Sequence, residues 1–318
     1  MGFCVLRFFQ FRLEKIWNVQ IFPNRVESSI MFSDTHFHFR HLVRDRGLDG
    51  TEILRKLCER DTFFGLDIGT EADDLIERFN FVEDAKGGLS DGDREKVDAF
   101  LHYAAGIWPS TGEISDRFER MKVLESKISK FDSGIVAIGE CGLDHHWNPS
   151  GADGRSLDDF DSAMFEGERE LFEMQIQLAK DMDLPLVVHS RDAFEDTVSV
   201  LRNMGYHNGI IHCYSYGKDE ARVFLDLGWH IAFGGATTYT KKSKMDAMVD
   251  LLRFVPDDRI LLETDAPYLT PVPFRGQTNT PVLVEYCYNF VASARNTTPK
   301  ALSNLVDDNI RRLFPSVA

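Results

Sequence analysis

Short apolar runs alternate along this chain with amphipathic stretches that repeat at helical spacing. Eight of the runs are apolar almost throughout, which is typical of parallel strands that are buried on both faces. We predict strands at residues 30–34, 62–68, 101–107, 135–139, 185–189, 209–213, 229–234 and 259–263. Eight strands, each followed by a helix, in 318 residues predict an α/β fold, a (β/α)8 TIM barrel. A doubly wound open sheet is the alternative, but no glycine-rich nucleotide-binding motif follows the first strand.

The stretches between the strands predict the outer helices, at residues 51–59, 71–79, 115–131, 165–183, 194–204, 219–227, 244–254 and 282–294. An extra C-terminal helix, residues 301–314, is predicted to follow the capping pair Thr298-Pro299. Two long segments interrupt this pattern. Residues 81–97 contain Gly87-Gly88 and Asp91-Gly92-Asp93 and predict an exposed acidic loop. Residues 144–160 follow strand four on the catalytic face of a barrel, either as a lid or as a plain insertion.

The charge of the chain limits how it can hold a polyanion. It has 36 Lys and Arg against 51 Asp and Glu, a net charge of −15. A protein that grips nucleic acid over a broad surface is expected to carry a basic face. A polyanionic substrate would therefore need bound metal and a local arginine. Five scattered cysteines without a CxxC pair predict a reducing compartment without structural disulfides, so we expect the cytoplasm.

The first thirty residues break the strand–helix alternation. Residues 2–11 are apolar but interrupted by Arg7, and they lack a clean signal-peptide core. A weak targeting segment, an additional helix, a disordered stretch and sequence upstream of the true start all fit, and we favour a start at Met31. We therefore divide the chain into an N-terminal extension, residues 1–30, and a barrel domain, residues 31–318. No apolar run in the sequence approaches the length of a membrane span.

Ligand-type side chains end several of the predicted strands. His36 and His38 are two residues apart, so they project from the same face and can hold one divalent cation. Strands four, five, six and eight end in four more such side chains: Glu140, His189, His212 and Asp265. Each of them alone has an ordinary structural explanation, such as a hydrogen-bonded histidine or a salt bridge at the rim. Together, at one end of a barrel, they predict a two-metal hydrolytic centre.

Two further roles follow from position. Asp265 can ligate a cation and accept a proton from the attacking water; the structural alternative is an aspartate that begins a turn before a proline. Arg191 follows His189 by two residues, and its two-pronged guanidinium suits a phosphate oxygen. The structural alternative for Arg191 is an ion pair with Asp192 or Asp196.

On these residues the chain resembles the TatD-type metal-dependent deoxyribonucleases, amidohydrolase-like barrels, from about residue 32 to residue 314. The motifs that carry the resemblance are Asp34-Thr35-His36-Phe37-His38, Gly139-Glu140-Cys141-Gly142-Leu143-Asp144, His189-Ser190-Arg191, His212-Cys213-Tyr214-Ser215 and Glu263-Thr264-Asp265-Ala266-Pro267-Tyr268-Leu269. The resemblance implies two divalent metal ions. His36, His38 and Asp265 would hold one, His189 and His212 the other, and Glu140 would lie between them. The ligand types admit Mg, Mn, Zn or Fe, and Arg191, Tyr268 and Arg275 become the expected substrate contacts.

The chain departs from the family pattern at two places. Trp108 stands in the segment Gly106-Ile107-Trp108-Pro109, where the family usually has a histidine. After strand eight, residues 275–281 lack two positive charges that are common in the family, which argues against strong binding of long DNA.

The sequence therefore predicts a TatD-type hydrolase that cleaves phosphodiester bonds in DNA, in the manner of a 3′-5′ exonuclease, with Asp265 and Glu140 as catalytic residues. DNA or a smaller phosphodiester is the expected substrate, and neither a membrane nor a protein partner is inferred. One alternative is a barrel hydrolase acting on a small amide, lactone or ester, since fold does not fix substrate. Another is a non-catalytic interaction barrel. We disfavour a thiol mechanism by Cys213, because neighbouring strand residues face opposite sides.

Overall fold

Eight short strands with buried side chains form one parallel sheet, in the order in which they occur in the chain. The computed structural model describes residues 30–146 and 161–317. The strands are β1 Asp34–Phe37, β2 Gly65–Ile68, β3 Leu101–Ala105, β4 Ala137–Asp144, β5 Leu186–Arg191, β6 Gly209–Ile211, β7 His230–Phe233 and β8 Ile260–Leu262. The segment after β8 closes the barrel onto β1, where His38 N donates to Ala266 O at 2.8 Å and Asp265 N to His36 O at 2.9 Å. The predicted TIM barrel is confirmed.

Amphipathic helices cover the outside of this barrel. They are α1 Gly50–Glu59, α2 Leu75–Lys86, α3 Asp91–Phe100, α4 Thr111–Ser115, α5 Arg117–Ile128, α6 Ser162–Met182, α7 Phe194–Met204, α8 Lys218–Asp226, α9 Met245–Phe254, α10 Val284–Ala294 and α11 Pro299–Leu313. Their apolar faces pack on the outer faces of the strands, and the core lies between the two layers. Helix α11 begins where the sequence predicts a cap, because the Thr298 side chain accepts a hydrogen bond from Ala301 N.

The prediction of an exposed acidic loop at residues 81–97 is wrong. Helix α2 continues to Lys86 and α3 begins at Asp91, so only a short turn separates them. Ser90 caps α3 by accepting from Asp93 N at 3.2 Å. Asp91 and Asp93 lie in the first turn of α3, where the positive end of the helix dipole favours negative charge. Acidic residues beside glycines therefore mark a helix start here and not a loop.

Strand boundaries shift most where the chain carries ligand-type residues. Strand β1 begins at Asp34 and so contains His36, whereas the sequence ended this strand at residue 34. Strand β4 runs on to Asp144, five residues beyond its predicted end, and pairs there with Arg191 of β5. Polar residues therefore continue these strands, because backbone pairing with the neighbouring strand extends beyond the apolar run.

Two predictions fall largely outside the described residues. The N-terminal extension, residues 1–30, is described only at residue 30, so the division of the chain stays a prediction. Of the segment 144–160, Asp144 belongs to β4, and residues 147–160 lie outside the description. None of the helices within residues 30–146 and 161–317 has both the length and the apolar surface that crossing a bilayer requires.

Candidate metal centre

Glu140 lies at the centre of the carboxyl-terminal end of the barrel and divides it into two halves. One carboxylate oxygen, Oε1, is 2.9 Å from His189 Nδ1 and 3.0 Å from His212 Nε2. The other, Oε2, is 3.4 Å from His36 Nε2 and 3.7 Å from His38 Nε2. The side chain is buried. A single carboxylate thus faces two pairs of imidazoles, one pair with each oxygen.

Asp265 completes the first half. The Nε2 atoms of His36 and His38 are 3.2 Å apart, and Asp265 Oδ1 lies 3.7 Å from the first and 3.5 Å from the second. Atoms that ligate one cation at about 2.1 Å lie about 3–3.4 Å from one another. His38 Nδ1 is 3.1 Å from the carbonyl oxygen of Ile68, which can only accept, so the ring proton sits on Nδ1. The lone pair of Nε2 therefore faces the other ligands.

The second half shows why this site calls for positive charge. His189 Nε2 is 3.0 Å from Asp144 Oδ2. A carboxylate can only accept, so the ring proton sits on Nε2 and is donated to Asp144. His189 Nδ1 and Glu140 Oε1, both acceptors, then face each other at 2.9 Å. Burial acts to lower the pKa of His189, but the hydrogen bonds with Asp144 and Glu140 outweigh it and raise this pKa to about 10. A second proton or a cation must lie between the two atoms, and this donor set fits a divalent metal ion.

The remaining charges agree with a metal-ligand role. Burial, with the charge of His212 second, lowers the pKa of His36 to about 4, so this imidazole stays neutral, as a ligand must. Its ring stacks on that of His212, with centroids 4.0 Å apart. Burial acts to raise the pKa of Glu140, but the neighbouring His212 and His189 hold it well below its usual value. For Asp265 the hydrogen bond with His38 likewise overcomes burial and lowers the pKa. Both carboxylates are therefore ionised.

Three acidic residues that the sequence did not single out support the ligands from outside. Asp34 is buried; its Oδ1 accepts from His36 N at 3.1 Å and from Thr264 N at 3.0 Å, and so ties β1 to the segment after β8. Burial, against the hydrogen bonds from Thr264, raises the pKa of Asp34 to about 7. Asp144 orients His189. Glu263 accepts from Cys213 N and has an oxygen 3.8 Å from His212 Nδ1.

The structure brings together all six of the predicted ligand side chains. Groups that could hold a metal ion include His36 with His38 and Asp265, and His36 with Glu140 and His212. In the second half, Glu140 Oε1, His189 Nδ1 and His212 Nε2 lie within 3.2 Å of one another. Their roles as ligands, and those of Asp265 and Glu140 as catalytic residues, stay predictions.

The predicted substrate contacts lie at different distances from this centre. Arg191 is exposed, with one guanidinium nitrogen 4.0 Å from Asp144 Oδ2, so it stands beside the His189 half. Tyr268 is 43% exposed and lies edge-on to the His38 ring, at the other half. Arg275 instead stacks on the Tyr239 ring, 3.8 Å from its centroid. Two of the three predicted contacts thus flank the cluster directly.

Cys213 is disfavoured as a nucleophile on different grounds from those in the sequence. Strand β6 ends at Ile211, so the alternation of side chains along a strand does not decide where Cys213 points. Burial, together with the charges of Asp265 and Glu263, raises the pKa of this thiol well above its usual value. A thiol with a raised pKa holds little of the reactive thiolate near neutral pH.

Comparison with known proteins connects this geometry to a family. The family model described as TatD related DNase matches residues 33–315. The uncharacterized metal-dependent hydrolase YabD of Bacillus subtilis is 32% identical over 292 residues, which cover 89% of this chain and 99% of that protein. The 3′-5′ ssDNA/RNA exonuclease TatD of a Rahnella species is 33% identical over 186 residues, 57% of this chain and 65% of that protein.

A solved structure agrees with the sequence relatives. The crystal structure of YjjV, a TatD homolog from Escherichia coli, matches with a TM-score of 0.71 and 25% identity, covering 89% of this chain and 98% of that one. A TatD-family hydrolase from Entamoeba histolytica shares the fold at a TM-score of 0.68 and 18% identity, covering 90% of this chain and 99% of that one. This chain belongs to the TatD family of metal-dependent hydrolases.

Proposed function

We propose that this chain hydrolyses phosphodiester bonds at the 3′ end of single-stranded DNA, with two divalent metal ions in its centre. The observation that carries the proposal is the placing of Glu140, whose two oxygens each face a pair of imidazoles. The relative from Rahnella, named as a 3′-5′ ssDNA/RNA exonuclease, supports this substrate class. In this proposal His36, His38 and Asp265 would hold one ion, His189 and His212 would hold the other, and Glu140 would lie between them.

Ions bound there would lower the pKa of a water and offset the charge of the phosphate. Asp265 accepts the proton of the attacking water. Its carboxylate is ionised because its pKa is lowered, and its side chain keeps 15% exposure, so a water can reach it. Glu140 is less exposed, at 6%, and serves to fix the spacing of the two halves.

Arg191 and Tyr268 would position the substrate. The exposed guanidinium of Arg191 stands next to the His189 half, where it can hold a phosphate oxygen with two hydrogen bonds. The exposed ring of Tyr268 offers a stacking surface to an unpaired base at the other half. Arg275 lies over Tyr239 and would extend the contact away from the reacting bond. With a net charge of −15, local contacts of this kind must replace a broad basic surface.

We also infer a reducing, cytoplasmic setting from the cysteines. Cys58, Cys141, Cys213 and Cys287 are free thiols in the described part of the chain. Free thiols that persist are typical of reducing compartments.

The decisive experiment is release of nucleotides from labelled oligonucleotides by the metal-free protein, with and without added Mg, Mn, Zn or Fe. We expect mononucleotides from the 3′ end of single-stranded DNA only when metal is present. Duplex DNA, single-stranded RNA and a panel of amides and lactones run in parallel define the substrate. A Glu140→Gln variant purified in the same way controls for a contaminating nuclease. Full activity after verified metal removal, or turnover of an amide or lactone without any of DNA, would overturn the proposal.

A further inference from the structure

The end of β2 and the residue after it supply two carbonyl groups that orient the metal centre. Ile68 O accepts from His38 Nδ1 at 3.1 Å and so fixes the direction of that ring. Gly69 O accepts from the backbone N–H of Glu140 at 2.8 Å and so fixes the residue between the two halves. One short segment, residues 67–71, therefore touches both a ligand of the first half and the shared carboxylate.

Arg78 of α2 holds this segment from behind. Its side chain is 1% exposed, and all three nitrogens of its guanidinium donate hydrogen bonds. Nη1 donates to the backbone oxygen of Asp67 at 3.2 Å and to the Asp67 carboxylate, and Nη2 donates to Ala104 O at 2.6 Å on the neighbouring strand. Nε donates to Asp74 Oδ1 at 2.9 Å. A planar guanidinium fixes the directions of all these bonds at once.

The two carboxylates pass this constraint on to the ligands. Asp67 Oδ1 accepts from the N–H of Phe39 at 2.8 Å, the residue directly after His38. Asp74 Oδ2 accepts from the backbone N–H groups of Thr70 at 2.9 Å and Glu71 at 3.1 Å. The constraint thus reaches His38 from two sides, through its ring and through the next peptide. It reaches Glu140 through the neighbouring Gly69.

Stability alone is a poor explanation for this arrangement. Taking charges out of water is costly, and apolar residues of similar volume often replace a buried ion pair without loss of stability. What an apolar side chain cannot do is hold two backbone oxygens and two carboxylates in fixed directions. Residues behind metal ligands typically set the affinity and geometry of the metal in this way.

We propose that Arg78 is a positioning residue of the metal centre. Through Asp67 and Asp74 it holds the carbonyl groups of Ile68 and Gly69, and thereby sets where His38 and Glu140 stand. The inference rests on the proposed two-metal function. It goes further, because Arg78 is not among the proposed ligands or substrate contacts. We infer that this residue nevertheless sets the geometry of the half formed by His36, His38 and Asp265.

Arg40 provides a matched control. It is also 1% exposed and lies at the same end of the barrel, three residues after β1. Its guanidinium hydrogen bonds join the carboxylates of Glu71 at 2.8 Å and Glu77 at 2.9 Å, and both of these side chains are 47% exposed. Arg40 therefore shares the charge and the burial of Arg78. Its partner Glu71 ends the segment 67–71, but Arg40 bonds to the half-exposed carboxylate of that residue, whereas Arg78 bonds to the backbone oxygens of Asp67 and Ala104.

The test compares Arg78→Lys with Arg40→Lys in the full chain. Lysine keeps the positive charge but lacks the planar set of N–H donors with fixed directions. Four quantities are measured: metal affinity by competition with a chelator, the visible absorption spectrum of the Co²⁺-loaded protein, kcat and KM. For Arg78→Lys we expect the affinity for one of two ions to fall by about 10–100-fold. We expect an altered Co²⁺ spectrum and a lower kcat at unchanged KM. Arg40→Lys should keep the wild-type affinity and spectrum, whatever its stability.

Gly69→Ala perturbs the same contact more gently and covers the case in which Arg78→Lys does not fold. A Cβ at position 69 would meet Arg78 Nη2 at 2.9 Å and Asp74 Oδ1 at 3.0 Å. It should lower metal affinity in the same direction by a smaller factor. If Arg78→Lys folds and keeps the wild-type metal affinity and spectrum, the inference is overturned and the proposed function stays intact. If Arg78→Lys does not fold, the same result in Gly69→Ala overturns it. A wild-type chain that binds no metal would refute the proposed function first, and this inference with it.

Discussion

The histidines at the two ends of the barrel have different partners, and the contrast is sharpest between His189 and the pair His102 and His230. At the carboxyl-terminal end, His189 lies between Asp144 and Glu140, and its pKa is raised to about 10 in spite of burial. At the amino-terminal end, His102 near the start of β3 and His230 at the start of β7 have pKa values lowered to about 4. Burial is the cause for His102, and for His230 the charge of Arg259 adds to it.

The difference lies in the partners and not in the residue type. Every histidine of the metal centre has a carboxylate oxygen within 3.8 Å, so a cation bound between imidazole and carboxylate is favoured there, while burial keeps the His36 ring itself neutral. The His102 ring instead stacks on Phe64, with centroids 5.1 Å apart, and its Nε2 has no hydrogen-bond partner in the described part of the chain. Several imidazoles that face shared carboxylates form the candidate cation site, and the single imidazole of His102, beside an aromatic ring, makes a packing contact.

The largest expected effect comes from Asp265, the carboxylate of the first half. Asp265→Asn keeps the size of the side chain but leaves no useful base near neutral pH. We expect kcat to fall by about 10²-fold or more, the range of general-base catalysis. The variant should fold normally and keep at least the ion held by His189 and His212. Melting temperature, metal content and kcat are measured on one preparation. Near wild-type turnover would remove Asp265 from the mechanism and favour a turn-starting role.

A second, smaller effect is expected from Asp144, which orients His189. Asp144→Asn can still reach His189 Nε2, but an amide oxygen is a weaker acceptor than a carboxylate and bears no charge. We expect a loss of about 10–100-fold in affinity for the ion of the second half, the range typical for residues behind metal ligands. Asp192→Asn is the control, because Asp192 Oδ2 lies 2.9 Å from the exposed His146. Equal metal affinity in the two variants would contradict the role given to Asp144.

The sequence predicts the fold and the ligand cluster for one physical reason. Continuously apolar runs specify buried parallel strands, and a closed barrel brings all their carboxyl-terminal ends to one rim. Residues such as His189 and His212, which directly follow or end such runs, must then meet. The prediction of the cluster requires the strand ends to be correct only within a few residues. The shift of β1 therefore did not change which residues reach the rim.

What the sequence does not predict depends on the direction of single side chains. Asp34, Asp144 and Glu263 stand inside the recognised motifs, yet nothing in their spacing separates them from the ligands. Whether a carboxylate faces a cation or the far side of an imidazole is decided by contacts between elements distant in sequence. Arg78 lies in a charged helix, and nothing in its sequence distinguishes this arginine from those that face solvent. Only the folded chain shows that it reaches the end of β2.

A moderate effect, on substrate binding alone, is expected at the rim. Arg191 is exposed and stands beside the centre without belonging to it. Arg191→Ala should raise KM for a nucleotide substrate by about 10-fold, as expected for one lost hydrogen-bonded charge. Metal content should change much less than KM, because Arg191 lies 4.0 Å from Asp144, whereas the bond from Asp144 that orients His189 is 3.0 Å long. Loss of metal equal to that of His189→Ala would assign Arg191 a structural role instead.

The smallest effect tests the other end of the barrel. His230 has a pKa of about 4 in the fold and about 6.5 in the unfolded chain, so the unfolded chain binds its proton first as the pH falls. Its full contribution to stability is present above about pH 6.5 and is lost as the pH falls toward 4. His230→Gln removes this titration. The drop in melting temperature between pH 7.5 and pH 5 should therefore be smaller in the variant, by on the order of 4 °C.

Two features isolate the contribution of His230. The packing cost of glutamine appears already at pH 7.5, so only the change with pH reports titration. Acid loss of metal from the opposite rim affects wild type and variant alike and cancels in the comparison. An identical pH dependence in both proteins would mean that His230 finds a proton-stabilising partner in the fold. A histidine at the amino-terminal end would then have a partner that stabilises its charged form, as His189 has in the metal centre. The contrast drawn between the two ends would be wrong.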